Sequence, residues 1–237
     1  MKKVIYFGAG LFNWQDKAFN LRLTENLEKI GYKITLPQRE GFEFSELAGA
    51  FEEILQENEI PNAANHLIYF LDKGWFIPKS DFCLAKLDEP IDEGVISEIN
   101  FCNMLSIPVL GYRTDVRTPY GSAENGVRGA HFFPVYDCTA FMLVHSSFSN
   151  TREEASKLEK LAKNIDLSLK KISQDSSLLT KDFSHPFAAR AMHIAERLFS
   201  GIENFHSRES LKLIAERYSN AQTQELMRYA LPQIINA

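Results

Sequence analysis

The chain has 237 residues, 45% of them hydrophobic and 24% charged, with a formal net charge of −5. Such a composition can bury a full core, and an acidic balance without a basic block argues against nucleic acid as a partner. Cys83, Cys102 and Cys138 are far apart, odd in number and free of metal-ligand spacing, so they are read as reduced thiols of a cytoplasmic protein, and no stretch reaches the length of a membrane span.

The opening "KVIYFGAG" (Lys3–Gly10) is a β-branched and aromatic run ending in glycines, the pattern of a buried parallel strand and a tight turn. From Asp16 to Ile30, Phe19, Leu23, Leu27 and Ile30 recur at helical spacing, and Gly31 closes the helix. "YKITLP" predicts a second strand stopped by Pro37. Residues 44–58 and 63–74 have helical character, with Pro61 between them. "DFCLAKL" (Asp81–Leu87), "PVLGYR" (Pro108–Arg113) and "TAFMLVH" (Thr139–His145) predict three further strands, with a helix over Gly94–Leu105. Strands alternating with helices predict a parallel sheet covered on both faces, whose ligands bind at the carboxyl ends of the strands. Beyond residue 148, an amphipathic helix over Asn150–Ile172 with Thr151 as its N-cap, a polar linker and helices over 187–205, 207–218 and 221–235 predict a helical extension. The expected division is therefore 1–148 and 149–237.

Candidate chemistry concentrates at the strand ends. "GAG" (Gly8–Gly10) follows the first strand but lacks the third glycine of a dinucleotide turn, at Phe12 or Asn13, and lacks a P-loop Lys-Ser/Thr. It is read as a turn that lets a ligand approach the backbone. Tyr6 lies two residues earlier, and periodicity alone assigns it to the core. "LDEPIDEGVISEI" (Leu87–Ile99) carries Asp88, Glu89, Asp92, Glu93 and Glu98. Asp92 and Glu98 would face the strand-end crevice, where two carboxylates can divide acid, base and nucleophile roles. The same residues also fit an acidic surface loop followed by a glutamate near a helix N-terminus. Asp88, Glu89 and Glu93 are assigned to solvent. Asp72 ends an apolar helical stretch, which costs free energy unless the carboxylate is paired or functional. The six histidines form no metal motif, and no GxSxG elbow is present.

"IYFGAGLF" (Ile5–Phe12), "KAFNLRLTENLEKIGYKITLPQREG" (Lys17–Gly41) and the stretch from Leu67 to Arg117 together resemble the nucleoside 2-deoxyribosyltransferase family. The features shared are an Asp, a strand opened by Ser-Asp, a Leu-Asp-x-Pro turn, an Asp-x-Gly, a Glu four residues after the glycine, and the "GYRTDVR" strand end. The resemblance implies a flavodoxin-like, doubly wound, five-stranded parallel sheet. It implies transfer of 2-deoxyribose between nucleobases, with Glu98 as nucleophile and Asp92 and Asp72 as carboxylates that bind the leaving base and help protonate it. Tyr6 would hold the nucleophile, and Gly8, Gly10 and Phe12 of the first turn would contribute to substrate binding. The family's Asn-x-Met-Leu stretch corresponds here to "CTAFMLV", with Ala140 at the Asn position, so Asn125 becomes the candidate sugar contact. No cofactor is implied; the partners would be a nucleoside and a nucleobase, in a homo-oligomer. A hydrolase of nucleosides or nucleoside 5′-monophosphates, and a non-catalytic nucleotide-sensing module, are the alternatives.

Overall fold

The computed structural model describes residues 2–42, 44–52, 54–121, 127, 129–145 and 147–232. The first half of the chain forms β1 (Val4–Gly8), α1 (Trp14–Ile30), β2 (Lys33–Thr35), α2 (Pro37–Glu40), α3 (Phe44–Phe51) and α4 (Ile60–Phe70), then a π-helical turn (Leu71–Phe76), β3 (Phe82–Lys86), α5 (Glu93–Met104) and β4 (Val109–Arg113). The second half forms α6 (Phe132–Tyr136), β5 (Ala140–Leu143), α7 (Thr151–Ser173), α8 (Pro186–Phe199), α9 (Arg208–Ser219) and α10 (Ala221–Ala230). Two units emerge, one from Met1–Leu36 with Lys79–Asp182, the other from Pro37–Pro78 with Phe183–Ala237. The boundary expected at 148/149 does not coincide with this division.

In the first unit the five strands pair in parallel in the order β2-β1-β3-β4-β5, which is the flavodoxin-like order. Strand alternation sorts the side chains of β1. Ile5 and Phe7 join a core with Leu23 and Leu27 of α1 and Leu158, Leu161, Ile165 and Leu169 of α7. Tyr6 and Gly8 face α5, as their contacts below show. Helix α7 was expected in the extension, yet it covers the sheet beside α1. Arg22 pairs with Glu154 at 2.6 Å, and Tyr32 Oη donates to Asp166 at 3.0 Å. Each of α7's buried leucines and isoleucines contributes about 1.5–3 kcal/mol on burial. Lifting the helix off would then cost on the order of 10 kcal/mol, as much as a whole domain's stability. The helix is therefore part of the sheet unit. Its N-cap is Asn150, whose side chain accepts from Glu153 N–H, and Thr151 is its first residue.

Other boundaries move for local reasons. Helix α1 starts at Trp14 because the Asn13 side chain accepts from Asp16 N–H, and it ends where Gly31 adopts φ 116°. Pro37, expected only to stop β2, opens the short helix α2. The helix expected over 63–74 starts earlier, at Ile60, with Pro61 in its first turn, and gives way at Leu71 to the π-helical turn. Helix α8 stops at Phe199, short of the expected 205, just ahead of Gly201 at φ 74°. The short helix α6 was not expected.

The second unit is helical. Phe42, Trp75, Phe76, Phe199 and Phe205 form a ring cluster with centroids 5.6–6.1 Å apart. Phe51 packs edge-on against Tyr218, whose hydroxyl lies 3.0 Å from His66 Nδ1. Burial lowers the His66 pKa from its ordinary value. All three cysteines are free thiols. Among the described residues no helix is long and apolar enough to cross a membrane.

Candidate active site

Tyr6 and Glu98 meet at the carboxyl edge of the sheet. Tyr6 is fully buried, and its hydroxyl donates to Glu98 Oε1 at 2.8 Å across the interface between β1 and α5. The ring is packed, as periodicity expected, and its hydroxyl is directed at the carboxylate. The second carboxylate oxygen of Glu98 lies against Gly8. A Cβ placed on Gly8 would sit 2.6 Å from Oε2. The room that glycine leaves at position 8 is thus occupied by the carboxylate itself. Glu98 is half-buried. Beneath it, Cys83 hydrogen-bonds Cys102, one turn beyond Glu98 on α5. That contact raises the Cys83 thiol well above its usual value, with burial and the Glu98 charge adding to it.

Asp92 is the N-cap of α5 and accepts from Gly94 N–H at 2.7 Å. Its other oxygen faces Gly10, where an added Cβ would lie 3.8 Å away. Gly10, Phe12 and Asp92 line one cleft of about 590 Å³, together with Asn13, Asp16, residues 88–91, Glu93, Asp115 and Arg117. The Phe12 ring is 85% exposed at its edge. Asp72 lies in the second unit, on the π-helical turn. Burial pushes its carboxyl up to about 7, against the pull of Lys73. Asn125 lies outside the described residues.

Two features escaped the sequence. Asp88, assigned to solvent, accepts from Thr114 N–H at 2.6 Å, Thr114 Oγ1 at 2.6 Å and Asp115 N–H at 2.8 Å. It ties the end of β3 to the end of β4 and shapes the cleft wall. Asp88→Ala leaves those donors without their carboxylate and is expected to cost about 2–4 kcal/mol. A urea titration measures this, and a loss below about 0.5 kcal/mol would return Asp88 to the class of ordinary surface residues. Lys86 is the other feature. Phe82, Leu84 and Lys86 alternate onto the α1 face, and Lys86 Nζ reaches Asp16 at 2.7 Å over the Phe19 ring at 4.8 Å. The signal was present: a lysine ending a fully buried strand needs a partner. Asp115 completes the wall. Desolvation raises its carboxyl, but hydrogen bonds from Arg117 and from the Glu89 backbone outweigh that and hold it at about 2.

The model of the family described as nucleoside 2-deoxyribosyltransferase matches residues 5–164. The chain belongs to that family. Its members act on N-glycosidic bonds of nucleosides, and the matched residues span the whole strand-end site of the first unit, together with the π-helical turn. No curated protein sequence matches the chain. Among solved structures it is similar to a conserved protein from Enterococcus faecalis V583, at 21% identity and a TM-score of 0.41, covering 68% of this chain and 99% of that one. It is also similar to a CMP N-glycosidase from Clostridium botulinum, at 12% identity and a TM-score of 0.37, covering 70% and 99%.

Proposed function

We propose that the protein transfers 2-deoxyribose from one nucleobase to another through a covalent deoxyribosyl ester on Glu98. The observation that carries this reading is the Tyr6–Glu98 pair at 2.8 Å. A carboxylate that accepts from a buried tyrosine, with a glycine beside its second oxygen, is a nucleophile fixed in direction. In the first step a Glu98 oxygen attacks the anomeric carbon. The new C–O bond forms as the N-glycosidic bond breaks, and the departing base takes the electron pair and a proton. In the second step a nitrogen of another base attacks the same carbon, releases Glu98 and gives up a proton. Two inversions give net retention.

The family resemblance gives Asp92 and Asp72 the handling of the base. A carboxyl with a pKa of about 7 still carries a proton in much of its population at neutral pH, which suits Asp72 to proton donation. The cleft favours nucleosides over nucleoside 5′-monophosphates. Among the described residues its wall carries Asp16, Asp88, Glu89, Asp92, Glu93 and Asp115 against Arg117 alone, and Arg117 is paired with Asp115 at 2.6 Å. A phosphate entering that field meets like charge without an unspent guanidinium to receive it.

The test is base exchange. The protein is incubated with a deoxynucleoside, with and without a different free base, and products are separated by chromatography. A new deoxynucleoside that forms only with the added base is the expected result. Free base released equally in both reactions would assign a hydrolase, because water would then be taking the sugar from Glu98. Faster turnover of the 5′-monophosphate than of the nucleoside would overturn the substrate class.

A further inference from the structure

We infer that helix α8, which lies outside the residues matched by the family, is the positioning element for Asp72. The inference rests on the role proposed above for Asp72 and gives the helical extension a task in the same reaction. The π-helical turn and α8 approach each other too closely for any side chain at position 74. A Cβ on Gly74 would lie 2.5 Å from the carbonyl oxygen of Ala191 and 2.5 Å from Ala195 Cβ. Ala191 and Ala195 are themselves buried, so the contact is backbone against helix with nothing between. The two residues after Gly74 are anchored as well. Trp75 packs edge-on against Phe199 at 6.1 Å, and Phe76 against Phe205 at 5.8 Å.

Asp72 precedes this anchored run by two residues, which sets it on roughly the opposite side of the turn from Gly74. The turn closes through Ile77 N–H donating to Asp72 C=O, so the anchored segment and the Asp72 backbone move together. Helix α8 therefore backs the turn on one side and fixes where the carboxylate projects on the other. The contacts it makes from Ala191 and Ala195 are uncharged. The charge that bears on Asp72 is its neighbour Lys73, buried with its ammonium 4.8 Å from the Tyr69 ring centroid. A π-helical turn gives up regular α-helical hydrogen bonding, and such turns are frequent where a helix must aim a functional group. Here the wide turn lets Gly74 meet α8 while Asp72 keeps a separate direction.

The experiment uses the full chain and reads the Asp72 carboxyl directly, by carbon-detected NMR titration, with Asp72→Asn to assign the resonance. Gly74→Ala drives a methyl into the α8 backbone. Phe199→Leu keeps the backbone contact but loosens the anchor at Trp75, and serves if Gly74→Ala does not fold. Leu211→Ala, in α9, is the control for a general loss of stability. In Gly74→Ala and Phe199→Leu the Asp72 midpoint is expected to fall by about one pH unit or more as water reaches a displaced carboxyl. It should stay in place in the control, and kcat should fall in both variants more than KM changes. An unchanged midpoint in a folded Gly74→Ala or Phe199→Leu protein overturns the positioning role. Wild-type turnover by Asp72→Asn would instead overturn the chemical role of Asp72, while the titration still decides whether α8 holds it.

Discussion

Glu98→Gln is expected to lower base exchange by about 10³-fold or more while leaving the fold intact. The amide has the same shape as the carboxylate and can still accept from the Tyr6 hydroxyl, so the packing between β1 and α5 survives. What is lost is the charged oxygen that, in the proposed mechanism, forms the ester. Rapid quenching of the wild-type protein with a deoxynucleoside should leave one deoxyribosyl group on the peptide containing Glu98, detected by mass, and Glu98→Gln should leave none. The stability cost should be small, because one hydrogen bond to a charged group is exchanged for one to a neutral group, a difference of about 1 kcal/mol. Activity within about tenfold of wild type would remove Glu98 from the nucleophile's position, since even general acid–base effects are worth about 10²–10⁴-fold. The lining of the cleft then narrows the search for another carboxylate to Asp92 and its neighbours.

How much of this was legible before the structure differs by element. The sheet was readable because its strands are short apolar runs bounded by glycine, proline and charged residues, and every strand expected is present. The partner of each strand was not readable locally, but alternation of strands and helices leaves few topologies for a parallel sheet. The assignment of α7 to an extension failed for a physical reason. An amphipathic stripe shows that a helix buries one face, not what it buries that face against, and Leu158, Leu161 and Ile165 lie on the same core as β1 and α1. The π-helical turn was invisible for a similar reason. Residues 71–76 have ordinary helical composition, and the wide turn goes with the close approach at Gly74, a tertiary contact. In the site, the sequence put Asp92 in the loop after β3 and Glu98 about one turn into the next helix; that Asp92 is the N-cap of α5 came only with the structure. Asp88 was misread because an acidic run looks alike whether its carboxylates meet water or the backbone of the next strand.

Gly8→Ala offers the sharpest test of how finely the proposed nucleophile, Glu98, is placed. Gly8 lies within β1, opposite Ala85 of β3, and its φ is outside the left-handed region, so alanine meets no backbone strain there. The methyl would approach Glu98 Oε2 to 2.6 Å, while its other near neighbours, the Tyr6 ring and Val95, stand at 3.7 Å. The atom that must yield is therefore the far end of a flexible side chain. The fold should tolerate the substitution, with a change in stability of about 1 kcal/mol or less, since alanine also narrows the unfolded ensemble. The carboxylate should not tolerate it. It has to rotate or retreat by several tenths of an ångström and give up part of its alignment with Tyr6 Oη. Misplacing a reacting group by about 1 Å can cost about 10²-fold in rate. A kcat reduced by about 10- to 100-fold, with an unfolding midpoint close to wild type, is the expected outcome. By contrast, a Cβ at Gly10 meets Asp92 only at ordinary contact distance, 3.8 Å, so the two glycines separate a steric demand set by the Glu98 carboxylate from one set by the open cleft. Wild-type kcat in Gly8→Ala would mean that the Glu98 carboxylate has slack in this site, and that the glycine at position 8 serves the strand rather than the chemistry.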